Sequence, residues 1–199
     1  MQVSKALIRD RADRVLDDNA SGSMTNLEAL RVLMRNETIA KGKAPHTIEF
    51  HWYAARNGPL NGSAALFKEY STLQNREVVA MLNQNRTGYT RELPDNEVPA
   101  FGLVADFTDK GLTEFVSLVI GEYTSAPFRF ALCGGVCSDH VSATENGYPS
   151  AYVRDSVEGR NYHLNTPLDT VDTLNLTHMV EHAKLVVGFV TELAFADLG

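Results

Sequence analysis

Apolar positions along the chain repeat with two periods. From Leu176 to Leu198, Met179, Val180, Ala183, Val186, Val187, Val190, Leu193 and Ala194 recur every three or four residues, the spacing of one buried helix face. The same period predicts a helix over Leu112–Tyr123, with Phe115, Leu118 and Val119 inward. Another is expected over Thr25–Met34, with Leu27, Leu30 and Leu33 or Met34 on one side, and a short one over Ser63–Tyr70. Asp17 to Gly22 is rich in capping residues, as a loop entering a helix should be. Elsewhere the pattern is that of strands: Thr47–Ala55 (TIEFHWYAA), closed by Gly58-Pro59, then Val78–Asn83, Phe101–Ala105, Phe128–Leu132 and a short run at Ala151–Val153. Helices alternating with strands predict an α/β layered domain with a mostly parallel sheet. No linker or internal repeat divides residues 1–199, so one domain is expected.

Composition changes this picture only by exclusion. The net charge is -7 with no basic block, so nucleic acid and anionic membrane are not expected partners. No apolar run is long enough to span a bilayer. The first residues, MQVSKALIRDRADRVLDD, are broken by charges and lack the apolar core of a secretory signal, which leaves localisation open.

Residue by residue, the chemistry is sparse. His46 and His51 read as core or edge histidines with satisfied rings. His178 and His182 are four apart on the last helix, but no H-E-x-x-H pattern accompanies them, so they read as helix-surface residues. Ser138-Asp139-His140 is contiguous, whereas triads are assembled from separated segments. Cys133 and Cys137, alone and four apart, are too few for structural zinc. Two inert thiols, or a local disulfide in an oxidising compartment, both remain open.

Six segments in order nevertheless resemble the di-zinc aminopeptidases of the bacterial and fungal leucine aminopeptidase type. They are DDNASGSMTNLEALRVL, HTIEFHWYAA, AMLNQNRTGY, CGGVCSDHVSATENGYPSA, NTPLDT and HMVEHAKLVVGFVTELA. The resemblance implies a zinc-exopeptidase-like fold, an α/β three-layer sandwich around a mostly parallel mixed sheet, here without the family's first strands. It also implies peptide hydrolysis at two zinc ions sharing a water, with a Glu as general base. A disulfide between Cys133 and Cys137, beside the substrate pocket, is implied as well.

Mapped onto this sequence, that machinery is largely replaced. The bridging zinc ligand falls on Asp18, which is kept. The base position falls on Arg56, and further ligand positions fall on Asn57, Asn85 and Asn165. The remaining ligand, an upstream His, has no match in residues 1–16, which contain no His. Asn amides are neutral and poor zinc ligands, and Arg is no base near neutral pH. At an effective dielectric of about 20, a guanidinium ~4 Å from Zn²⁺ is repelled by roughly 8 kcal/mol. The expectation is therefore a catalytically inactive relative, without zinc of its own, whose ligands would be peptide N-termini or a protein partner. An active aminopeptidase removing apolar N-terminal residues, or a truncated fragment without function, are the alternatives.

Overall fold

The computed structural model describes residues 16–55, 60–90, 98–156, 161–164 and 166–198. Six α-helices and four strands are used below: α1 (Gly22–Leu33), α2 (Glu37–Ala40), α3 (Asn61–Glu69), β1 (Met81–Gln84), β2 (Phe101–Val104), α4 (Lys110–Tyr123), β3 (Phe128–Ala131), α5 (His140–Glu145), β4 (Ser150–Arg154) and α6 (Leu176–Phe195). The sheet order is β1-β4-β2-β3. β1 with β4 and β2 with β3 are parallel, while β2 with β4 is antiparallel. Two parallel ladders against one antiparallel ladder make the mixed, mostly parallel sheet that was expected.

Alternate residues of each strand face opposite sides, and β4 shows the two layers directly. Ala151 and Val153 enter the core formed with Phe101, Leu103, Val116, Val119, Ile120, Leu185 and Phe189, that is, with α4 and α6. Tyr152 points the other way, onto Val104 and Ala131. On that second side Met81 packs with Phe67, Tyr70 and Ala143 from the α3 and α5 region. Helices therefore cover both faces. Local chemistry sets their starts: Asp109 accepts the Leu112 N–H at 2.7 Å, and Asn175 accepts that of His178 at 3.0 Å.

Several sequence expectations are corrected. Thr47–Ala55 is extended, and Phe50 and Trp52 pack against α1 and Val186 while Tyr53 turns to the opposite core. Among the described residues it joins no ladder and carries only an isolated bridge at His51. On α1 the inward row is Gly22, Thr25, Ala29 and Leu33, and Leu27 is 47% exposed. Gly22 and Thr25 sit against the end of β1, at Gln84 and Thr87, while Ala29 and Leu33 pack with Val186 of α6. On α4 Val116 replaces Leu118, which is 71% exposed, as the inward residue. His178 and His182 are not on the surface: both are buried, against the Phe101 ring at centroid distances of 5.3 and 4.7 Å. His46 and His51 are satisfied, the first by the Ala196 carbonyl at 3.0 Å, the second by the Tyr53 hydroxyl at 3.0 Å and Glu49 at 2.9 Å.

Candidate functional site

The loops at the C-terminal ends of β1 and β4 meet the turn before α1, and that junction gathers three of the four acids that are buried among the described residues, Asp17, Asp155 and Asp169. Asp17 is fully buried. Its Oδ1 accepts the Gly88 N–H and the Ser21 hydroxyl, each at 3.3 Å, and its Oδ2 accepts Asn161 Nδ2 at 2.9 Å. Its own N–H lies 3.3 Å from both carboxylate oxygens of Asp169, also fully buried. Burial pushes the Asp169 carboxyl up from its ordinary range, against the donation from the Asp17 amide. Asp18, half-buried, follows on the same turn.

Beneath that turn, the end of β1 is polar and closed to water. Asn83 and Asn85 both donate to the Ser138 hydroxyl, at 2.7 and 3.2 Å, which leaves Asn85 Oδ1 buried without a partner. Gln84 Oε1 meets His182 Nδ1 at 2.7 Å, and Gln84 Nε2 and His182 Nε2 are left unbonded. Burial holds His182 far below the usual histidine range, so the ring is neutral at neutral pH.

Arg86 brings a cation to this region. Its backbone is left-handed at φ 54°, its N–H donates to Asn19 Oδ1 at 3.1 Å, and its carbonyl accepts the Asp155 N–H at 2.7 Å. Burial is the largest influence on the guanidinium and works against its charge. Asp155, Tyr152, Asp18 and Asp17 together outweigh it and stabilise the cation. Asp155, 4% exposed, is pushed well up by burial and by the charge of Asp17, with Arg86 and Arg154 opposing. Four acids thus share a pocket with an internal guanidinium.

Of the positions that the resemblance assigns to the active site, Asp18 and Asn85 lie at this junction, whereas Arg56, Asn57 and Asn165 fall outside the described residues. Among the described residues one grouping brings three or more His, Cys, Asp or Glu donor atoms within 4.8 Å of one another: Cys133, Cys137 and His140. The two sulfurs in it are bonded to each other. Asp18 belongs to no such grouping, Asn85 offers a neutral amide and the Arg86 guanidinium is drawn to Asp18, so the described residues do not by themselves supply ligands for a pair of zinc ions. The disulfide resolves the alternatives left open for the cysteines in favour of pairing. Arg86, Asp155 and the His182–Gln84 pair were missed in the sequence. Their only signal was position, next to Asn85 or just past a predicted strand.

Beside the junction, a groove of about 530 Å³ separates β1 from the extended segment 46–53. Asn83, Gln84 and Asp139 line it along with Ile48, Trp52 and Leu193.

The sequence model described as Peptidase family M28 matches residues 11–190. Leucine aminopeptidase 1 of Ajellomyces dermatitidis is 47% identical over 184 residues, which is 92% of this chain and 48% of that protein. Leucine aminopeptidase 1 of Uncinocarpus reesii is 49% identical over 184 residues, 92% of this chain and 46% of that one. The chain thus spans about half the length of these relatives. Among solved structures, the LapA aminopeptidase of Legionella pneumophila superimposes with a TM-score of 0.79 at 31% identity, covering 92% of this chain and 47% of that one. A zinc aminopeptidase from Bacillus subtilis, with a TM-score of 0.68 at 21% identity over 95% of this chain and 47% of its own, shares the fold.

Proposed function

The chain belongs to peptidase family M28, and from that membership we propose that it is a non-catalytic member, one that keeps the aminopeptidase scaffold without its zinc chemistry. The observation that carries this reading is Arg86. Where a metallopeptidase of this kind needs carboxylates to balance divalent cations, this chain sets a half-buried guanidinium among Asp155, Asp18 and Asp17. The adjacent ligand position is Asn85, a neutral amide already donating to Ser138. A second cation brought to that pocket is repelled by Arg86, and the amide contributes no charge to offset it. Arg56 at the general-base position and Asn57 and Asn165 at ligand positions, read from sequence, extend the same argument.

The test is metal content beside turnover. After dialysis against a weak chelator, elemental analysis of oxidised protein is expected to find less than one zinc per chain. Protein free of host peptidases is expected to release no leucine from leucine amide, with or without added zinc. Two tightly held zinc ions, or turnover that a chelator abolishes, would falsify the reading.

A further inference from the structure

The grouping of Cys133, Cys137 and His140 lies on the second face of the sheet, with Tyr152. Both sulfurs pack against Val104, Ala131 and Tyr152. His140 opens α5, is fully buried, and stacks on the Tyr152 ring at 4.7 Å. Neither of its ring nitrogens meets a partner at hydrogen-bonding geometry, although the Asp106 backbone lies close enough to favour the protonated ring slightly. Buried side-chain nitrogens are seldom left unpartnered, and one of these lies within 4.8 Å of both sulfurs. Burial lowers the His140 pKa to about 4, so at neutral pH the ring is neutral and has a lone pair to give.

From this we infer that reduction of the Cys133–Cys137 disulfide creates a three-donor site, two thiolates and one imidazole, for a zinc-like divalent cation. A dithiol reductant passes two electrons and two protons to the bridge, leaving two cysteine thiols, and its own sulfurs close as a disulfide. Metal binding then releases the two thiol protons to solvent. Two thiolates balance a divalent charge, which suits a half-buried position, and water takes the fourth place of a tetrahedral ion. The sulfurs must move apart to about 3.8 Å to share an ion held at ~2.3 Å. Their Cα atoms are already 6.0 Å apart, so side-chain rotation supplies the change.

The frame of the site does not depend on the bridge. Asp106 accepts the Cys133 and Gly134 N–H groups, each at 2.8 Å, and pins the first cysteine. The Ser150 hydroxyl donates to the His140 carbonyl at 3.1 Å and pins the other wall. Gly134 and Val136 are exposed, which gives reductant and metal a way in.

Cobalt(II) titration of the full chain tests this, before and after reduction by a phosphine that carries no thiol of its own. The reduced protein is expected to take up one cobalt per chain with a sulfur-to-cobalt charge-transfer band, and to lose it to zinc. The oxidised protein shows no such band. Cobalt bound there without one would instead count against the zinc-free reading above, so the two failures are distinguishable. Cys137→Ser and His140→Gln are each expected to weaken uptake about 100-fold or more, beyond the loss caused by removing an outer-shell partner. Thermal unfolding of oxidised His140→Gln checks that this variant folds. A hyperfine-shifted imidazole proton in the reduced, cobalt-loaded native chain reports the histidine without any substitution. No band on reduction, no imidazole signal, unchanged affinity in a folded His140→Gln, or loss of cooperative unfolding on reduction would each overturn the inference.

Discussion

Replacing Arg86 with Met removes the guanidinium that interacts with Asp155, Asp18 and Asp17 while keeping most of the side-chain volume. Breaking one partner out of a buried charge pair costs about 3–5 kcal/mol. Arg86 is itself only half-buried, so the lower end, about 3 kcal/mol, is expected. For a chain of this size each kcal/mol moves the unfolding midpoint by roughly 2–4 °C, so the variant should melt about 6–12 °C lower. The pH dependence supplies a second, signed test. Asp155 has a folded pKa above its unfolded value, so between the two the folded state binds more protons and stability falls as pH rises. Without Arg86 the folded pKa climbs further and the window widens upward. The deficit is therefore larger at alkaline pH and shrinks on acidification, as Asp155 takes up its proton in both proteins. Arg86→Lys, which keeps the charge and loses the planar fork, should lie between. Differential scanning calorimetry at the two pH values decides. An unchanged midpoint at alkaline pH, or a deficit that grows on acidification, refutes the assignment of Arg86 as the internal counter-ion.

Three further outcomes follow from local geometry. Gly22→Ala, ordinarily stabilising in a helix by up to about 1 kcal/mol, should destabilise here: a Cβ at this position would lie 2.7 Å from the Gln84 carbonyl oxygen, and denaturant unfolding gives the sign. Thr25→Val should cost about 1–3 kcal/mol by stranding the buried Thr87 hydroxyl 2.9 Å away, and the double change to Val at both sites should cost less than the sum of the single changes in a double-mutant cycle. Reducing the disulfide opens only a five-residue loop, worth about 2 kcal/mol by loop entropy, so calorimetry should show a lower midpoint but still one cooperative transition.

The elements legible in the sequence are those whose burial is local and continuous. α6 and α4 carry large apolar side chains at helical spacing, and β2 is buried along its whole length. On α1 the expected Leu33 and Leu30 do meet the core, but Leu27 does not, because Gly22, Thr25 and Ala29 occupy the rest of the inward row and small side chains give no signal in Leu spacing. Thr47–Ala55 has the composition of a strand, but whether it pairs depends on what lies beside it in space, and β1 stands across a groove. His178 and His182 were misplaced for a similar reason: imidazole polarity is silent about burial, and the Phe101 ring that covers them is distant in sequence. At the site, the family resemblance brought out Asp18, Asn85 and the cysteine pair. It had no place for Arg86, a residue that acquires its meaning only when three acids from two loops close around it.

The position of β4 inside the sheet also orders events while the chain is being made. β1 ends at Gln84, but its ladder partner is not complete until Arg154, and β2 reaches β1 only through β4. The stretch 85–154 is 70 residues long, and at about 5–20 residues per second a ribosome takes ~4–14 s to deliver it. For that interval β1 precedes its partner β4, and among the described strands only β2 with β3 can form a ladder in the meantime. The nascent chain therefore passes through a stage at which β1, carrying Met81 and Leu82, waits for the strand it pairs with.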